Sequence, residues 1–333
     1  MFKQSFYHGS ARVFLVLTCY ERSRIVEIRA NHRIHQLMKS FSGKIAVITG
    51  GGTGIGRELA KALIAEGCHV ALCDVSSANM QETVALCKVD APQGVRITSF
   101  HCDVSSRDEM NAFADHVRTT FETDYINLLF NNAGVIGGGS FVVEDEVHWE
   151  RTFNVCWGGV YNGTRVFMPM LTASHEGHII NTSSINGFWA SMGANSAHTA
   201  YSSAKFAVKG FTEALITDLR LNAPHVKATV VMPGHIGTSI MLNGTGSEGD
   251  NGRRTVGRMF GMDVDNMSDD QIAATIETAG TAFRDDAPTS VEQAVQVILD
   301  AVKTERWRVL IGCLLYTSPS PRDQRGSRMP SSA

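Results

Sequence analysis

The sequence predicts an α/β fold: one doubly wound parallel sheet with helices on both faces. Three observations predict it. Short apolar, β-branched runs alternate with longer helical patterns along most of the chain. Such runs read as parallel strands buried on both faces. Each run that matters ends in a glycine-rich or polar string, which places those strings at the sheet edge where doubly wound folds bind ligands.

The elements follow in order. Lys44-Ile45-Ala46-Val47-Ile48 is the first strand, and the string Thr49-Gly50-Gly51-Gly52-Thr53-Gly54-Ile55-Gly56 follows it. Leu59, Ala60, Leu63 and Ile64 then recur at helical spacing. Strand, glycine turn and helix together let backbone approach a pyrophosphate, with free N–H groups and a partial positive charge at the helix start. A second run, Val70-Ala71-Leu72-Cys73, ends at Asp74. An acid there accepts hydrogen bonds from the adenosine ribose and repels a 2′-phosphate, favouring NAD over NADP. Asp74 also reads as a helix N-cap, because Ser76 and Ser77 follow. In all, strands are expected near 44–49, 68–74, 95–102, 125–131, 177–183, 225–231 and 307–312, and helices notably over 54–66, 106–122, 144–172, 200–222 and 288–303. There is no internal repeat.

Tyr201 and Lys205 lie in Tyr-Ser-Ser-Ala-Lys, four apart and so on one helix face. A free phenol has a pKa of about 10. A nearby ammonium favours phenolate and lowers that value, which suits acid–base catalysis near neutral pH. Three further strings follow strand runs in order: Asn131-Asn132-Ala133-Gly134, Ser183-Ser184, and Pro233-Gly234-His235-Ile236-Gly237-Thr238.

These five ordered motifs resemble the short-chain dehydrogenase/reductase family in its single-domain, Rossmann-like form. The glycine string looks like that family's Thr-Gly-x-x-x-Gly-x-Gly, and Tyr201/Lys205 looks like its Tyr-x-x-x-Lys. The resemblance runs from about Phe41 to Gly312. It implies an oxidoreductase that interconverts a secondary alcohol and a ketone with NAD, NADP being the weaker expectation. Tyr201 would move the proton, Lys205 would tune the phenol and hold the nicotinamide ribose, Ser184 would orient the substrate oxygen, and Asn154 would support a water on Lys205. The same resemblance assigns Gly50, Thr53, Gly54, Ile55, Gly56 and Asp74 to the dinucleotide, with Asp103 and Val104 near adenine. It adds Asn131, Ala133, Gly134, Pro233, Gly234, Ile236 and Thr238 to the cofactor wall. It implies a homodimer or homotetramer paired through the helices at 144–172 and 200–222. No residue is assigned to a metal. A non-catalytic dinucleotide sensor or scaffold on the same fold is the alternative, though such proteins usually lose the tyrosine or lysine that this chain keeps.

The stretch between Ser184 and Tyr201 is longer than the family pattern, with Gly193-Ala194-Asn195-Ser196-Ala197-His198 as the surplus. It reads as an enlarged loop at the substrate mouth, with His198 as solvated loop. Residues 239–288 read as a substrate lid. Their Met241, Leu242, Met259, Phe260, Met262 and Met267 favour an apolar or bulky substrate. Arg253, Arg254 and Arg258 read as a solvated face.

Composition fits this reading. Of 333 residues 43% are hydrophobic and 19% charged, with a formal net charge of −3, which leaves no bias toward nucleic acid or membrane. Seven cysteines without C-x-x-C spacing suggest reduced thiols and a cytoplasmic setting. Residues 1–37 show no secondary-structure period and read as an upstream extension before a start at Met38, with a basic targeting segment as the other reading. Residues 313–333, from Cys313-Leu314-Leu315-Tyr316-Thr317, read as a sequencing-adapter artefact or a disordered tail.

Overall fold

A computed structural model describes Met38, residues 40–190, 197–243, 253–254, 256–258 and 262–312. Residues 1–37 and 313–333, most of the surplus loop, and Met259 and Phe260 of the lid lie outside the described residues.

Seven strands form one parallel sheet: β1 (Ile45–Thr49), β2 (His69–Asp74), β3 (Ile97–His101), β4 (Leu128–Asn131), β5 (Gly177–Thr182), β6 (Val226–Pro233) and β7 (Arg308–Ile311). Their order is β3-β2-β1-β4-β5-β6-β7, and every pairing is parallel. The order reverses between β1 and β4. Their carboxyl ends therefore diverge into a crevice, the place where such sheets take ligands.

The helices are α1 (Gly54–Ala65), α2 (Ser77–Val89), α3 (Arg107–Phe121), α4 (Glu146–Phe153), α5 (Gly159–Thr172), α6 (Thr199–Asn222), α7 (Ile240–Asn243), α8 (Asp269–Asp285) and α9 (Val291–Lys303). Alternation along β1 divides the core. Ala46 and Ile48 pack with Leu59, Leu63, Ile298 and Leu299 of α1 and α9. Ile45 and Val47 pack with Phe113, Val117, Phe167 and Leu219 of α3, α5 and α6. The period of two in a strand thus builds a separate apolar layer on each face.

All seven expected strands are present, most with slightly tighter bounds. β4 begins three residues later than its apolar run, because Tyr125 is exposed. The long helix expected over 144–172 is interrupted: a π turn at Asn154–Gly158 joins α4 to α5. Such turns insert one residue into the ladder and often mark functional sites. Within residues 239–288, Val256, Val264, Ile272 and Ile276 form a small separate core. Ser268 and Gln271 close a capping box on α8, and Ser290 and Gln293 do the same on α9. No helix among the described residues is long and apolar enough to cross a membrane.

Candidate active site

The glycine turn is shaped by close approach. Gly50 has φ +66°, and a Cβ there would lie 2.8 Å from Ala133 Cα. Gly54 has φ +52° and lies under Thr238. A Cβ on Gly56 would strike the Gly50 carbonyl oxygen at 2.0 Å. Only glycine suits these positions. Asn132 braces the turn: its Nδ2 donates to the carbonyls of Thr49 (3.1 Å) and Gly50 (3.3 Å). Thr49 Oγ1 accepts the N–H groups of Asn132 and Ala133.

The start of α1 carries no side-chain cap from Thr53. Thr53 Oγ1 instead accepts from Asn243 Nδ2 of α7 at 2.9 Å. The first amides of α1 are thus left to an anion. Asp74 ends β2 beside the turn. Its Oδ2 accepts Gly52 N–H at 2.9 Å and its Oδ1 accepts Ser76 N–H at 3.0 Å. Ser76, not Asp74, caps α2, accepting Asn79 N–H. Asp74 is therefore a fixed, half-buried carboxylate at the mouth of the turn. An uncapped helix start over a glycine cradle, with an acid one strand away, fits the pyrophosphate and ribose of a dinucleotide.

Further along the crevice, Asp103 Oδ1 accepts both the N–H and the hydroxyl of Ser105. Val104 is buried against Gly159, and Asn162 Nδ2 donates to its carbonyl at 2.9 Å. Ile236 is buried, and Gly234 N–H donates to Ile311 O next to Pro233. His235 stacks on Phe283 with ring centroids 4.1 Å apart and bonds the Phe283 carbonyl, anchoring α8 to this loop.

The Asn131 side chain packs inside the fold. It is fully buried, and its Nδ2 donates to Asn181 Oδ1 (2.8 Å) and Thr164 Oγ1 (3.0 Å), knitting β4 to β5 and α5. Asn154 is exposed at the first residue of the π turn. The buried polar group of that turn is Cys156, whose Sγ donates to Val135 O at 3.2 Å. Cys156 Sγ and Lys205 Nζ lie 3.7 and 3.5 Å from the point where a Gly134 Cβ would sit. Helix spacing alone puts Cys156 in line with buried Thr152, four residues before it. Cysteine in an apolar stretch carries no further signal.

Ser184, Tyr201 and Lys205 do come together. Lys205 is buried, donates from Nζ to Thr182 O at 2.9 Å, and lies 5.4 Å from the Tyr201 ring centroid. Burial pushes the Tyr201 phenol above its ordinary value. The Lys205 charge and a hydrogen bond with Ser184 pull it down, and Cys156 pushes it up. Lys205 acts in the expected direction, while desolvation acts more strongly in the opposite one. His198 is half-buried at the start of α6 rather than solvated, and burial lowers its pKa.

Comparison with known proteins agrees with this geometry. A family model described as short chain dehydrogenase matches residues 44–247. The putative oxidoreductase SadH of Mycobacterium tuberculosis is 38% identical over 239 residues, 72% of this chain and 83% of that protein. Epidermal retinol dehydrogenase 2 of Mus musculus is 31% identical over 217 residues, 65% of this chain and 68% of that one. Among solved structures, a short chain dehydrogenase/reductase from Burkholderia phymatum in complex with NAD is 27% identical, with TM-score 0.70, covering 88% of this chain and 98% of that one.

Proposed function

This chain belongs to the short chain dehydrogenase family of oxidoreductases, and from that premise we propose that it interconverts a secondary alcohol and a ketone with NAD, through Tyr201, Lys205 and Ser184. The observation that carries the reading is the convergence of these three side chains in the crevice at the strands' carboxyl ends. NAD held over the glycine turn would supply the hydride acceptor and a positive ring charge. Asp74 favours its unphosphorylated ribose, because a 2′-phosphate beside a fixed carboxylate is repelled.

The chain's own groups divide the remaining work. Ser184 orients the substrate oxygen. The Tyr201 hydroxyl gives a proton to that oxygen in reduction and takes one in oxidation. Lys205 stabilises the phenolate form. A phenol raised by burial is a proton donor at rest, so oxidation is expected to accelerate as pH rises while reduction slows. The buried methionine of the lid, Met241, and the half-buried Met262 and Met267 support an apolar or bulky substrate.

The test is NAD-dependent oxidation of a panel of secondary alcohols, steroids and hydroxyacyl thioesters by the wild type and Tyr201→Phe. The variant is expected to bind NADH normally and to lose roughly 100-fold to 10,000-fold in turnover. Retained turnover in the variant overturns the mechanism. NADH binding with no turnover by the wild type on any substrate favours a dinucleotide sensor.

A further inference from the structure

Ser184 and Tyr201 come from different elements. Ser184 follows β5, and Tyr201 sits in the first turn of α6. Their relative position therefore needs a physical link between the two segments. Lys205 supplies one, since its Nζ donates to Thr182 O and its own carbonyl accepts the Ser183 hydroxyl at 2.7 Å. That link stops one residue short of Ser184 and lies one turn beyond Tyr201.

The nearer link is Asn186. It is buried in a 3₁₀ turn at Ile185–Gly187. Its backbone N–H donates to Ser184 Oγ at 3.2 Å, and its Oδ1 accepts the Ser184 hydroxyl at 3.4 Å. The other end of the same carboxamide donates from Nδ2 to Ser202 Oγ at 3.3 Å. Ser202 is buried, is the residue after Tyr201, and donates its own proton to Ala190 O at 3.1 Å. One amide side chain thus spans from the Ser184 hydroxyl to the helix turn that carries the phenol.

We propose that Asn186 is a positioning residue for the reaction: it holds the Ser184 hydroxyl in register with Tyr201 by tying Ser184 to Ser202. The inference rests on the reading of Tyr201 and Ser184 given above. The proton accounting supports it. The Ser184 hydroxyl has one proton, which it gives to Asn186 Oδ1. A lone pair accepts the Asn186 N–H, and turning the one proton from Oδ1 toward the Tyr201 oxygen is what lowers the phenol's pKa. At 3.4 Å the bond to Oδ1 is long, so a substrate oxygen can replace the amide as acceptor at little cost. The side chain presets the hydroxyl without locking it. Because Asn186 is uncharged, it does so without adding to the charged and titratable groups acting on Tyr201, which are Lys205 on the same helix and Cys156 from the π turn.

The experiment uses full-length wild type, Asn186→Ala, Asn186→Asp, Ser202→Ala and Tyr201→Phe. The substrate is whichever alcohol of the panel the wild type turns over. Thermal melting and NADH fluorescence titration report folding and cofactor binding independently of activity. Asn186→Ala is expected to lower kcat by about 10-fold to 100-fold, the scale of a misplaced reacting group, with NADH binding within about twofold of wild type. Asn186→Asp keeps the shape but adds a negative charge near the phenol, so the alkaline rise of its kcat profile should move to higher pH. That shift reports how near residue 186 lies to the phenol, and a lowered kcat with unchanged melting and NADH binding in Asn186→Ala reports its positioning role. Ser202→Ala cuts the far end of the link and should lower kcat in the same direction. It decides the matter if Asn186→Ala does not fold. Wild-type kcat in Asn186→Ala and Ser202→Ala, with Tyr201→Phe inactive, overturns the positioning role alone. An active Tyr201→Phe overturns the underlying mechanism instead.

Discussion

His178 should make the fold acid-sensitive by a calculable amount. It sits in β5 between Leu128 of β4 and Lys227 of β6, and is fully buried. Its Nε2 meets Thr229 Oγ1 at 2.7 Å. That hydroxyl donates its only proton to Arg306 O, so Nε2 must be the protonated nitrogen of a neutral ring. Burial, and then the nearby Lys227 charge, push the imidazole from 6.5 down to about 3. The sign follows: the unfolded chain binds a proton that the folded chain refuses. Stability is therefore complete above the unfolded value and falls as pH drops toward the folded one. At about pH 5 the unfolded imidazole is some 1.5 pH units below its titration midpoint while the folded ring stays neutral, which costs about 2 kcal/mol relative to neutral pH. The assay is urea unfolding at both pH values, followed by circular dichroism, for wild type and His178→Gln. Glutamine keeps a donor toward Thr229 and cannot titrate. Carboxylates contribute equally to both proteins, so the difference between their pH dependences isolates the histidine. Parallel pH dependences would refute the reasoning.

Two other predictions concern positions where geometry leaves little choice. Gly138 has φ +59°, and a Cβ there would stand 2.5 Å from Ala200 Cβ. Its carbonyl also accepts Ala200 N–H at 3.0 Å, at the start of the Tyr201 helix. Gly138→Ala should cost about 1–3 kcal/mol in thermal or urea unfolding. Asp74→Ser removes the carboxylate that excludes a 2′-phosphate. The ratio of NADPH to NADH dissociation constants, measured by fluorescence titration, should fall by about tenfold or more. It should also lose stability, because Gly52 and Ser76 N–H each give up a charged acceptor.

The sequence made the sheet legible because the inner strands carry short apolar runs, as in Val70–Cys73 of β2 and Leu128–Phe130 of β4, whereas the edge strand β3, Ile97-Thr98-Ser99-Phe100-His101, is mixed and only part-buried. It made the glycine turn and the Tyr201/Lys205 pair legible because both are local patterns: backbone approach needs Gly50, Gly54 and Gly56 in one turn, and a shared helix face needs a spacing of four. What depended on helix phase or on contacts far along the chain was less legible. Asn154 is exposed at the first residue of a π turn that the helical pattern does not announce, and Cys156, two residues later, is buried. Asn131 closes a strand, and the partner of its side chain is Asn181, 50 residues away, with which it shares a hydrogen bond inside the sheet. Asn186 and Ser202, 16 residues apart, meet only because the segment after β5 folds back on the first turn of α6.

The same contrast explains why the reaction class can be read more firmly than the substrate. The proposed chemical groups stand at a strand end or on a helix pressed against the sheet, with Lys205 bonded to Thr182 O and Ser184 to Asn186. Moving one of them disturbs a core layer. The lid is built otherwise. Its described apolar residues form a separate small cluster. It meets the cofactor crevice through contacts such as Asn243 to Thr53 and His235 to Phe283. A segment with its own small core can change its lining residues at little cost to the sheet, as binding loops on a rigid scaffold do. Substrate choice is thereby separated from proton and hydride positioning. On the proposed reading, the methionines of residues 239–288 would set the substrate preference while Tyr201, Lys205 and Ser184 keep one geometry beneath them.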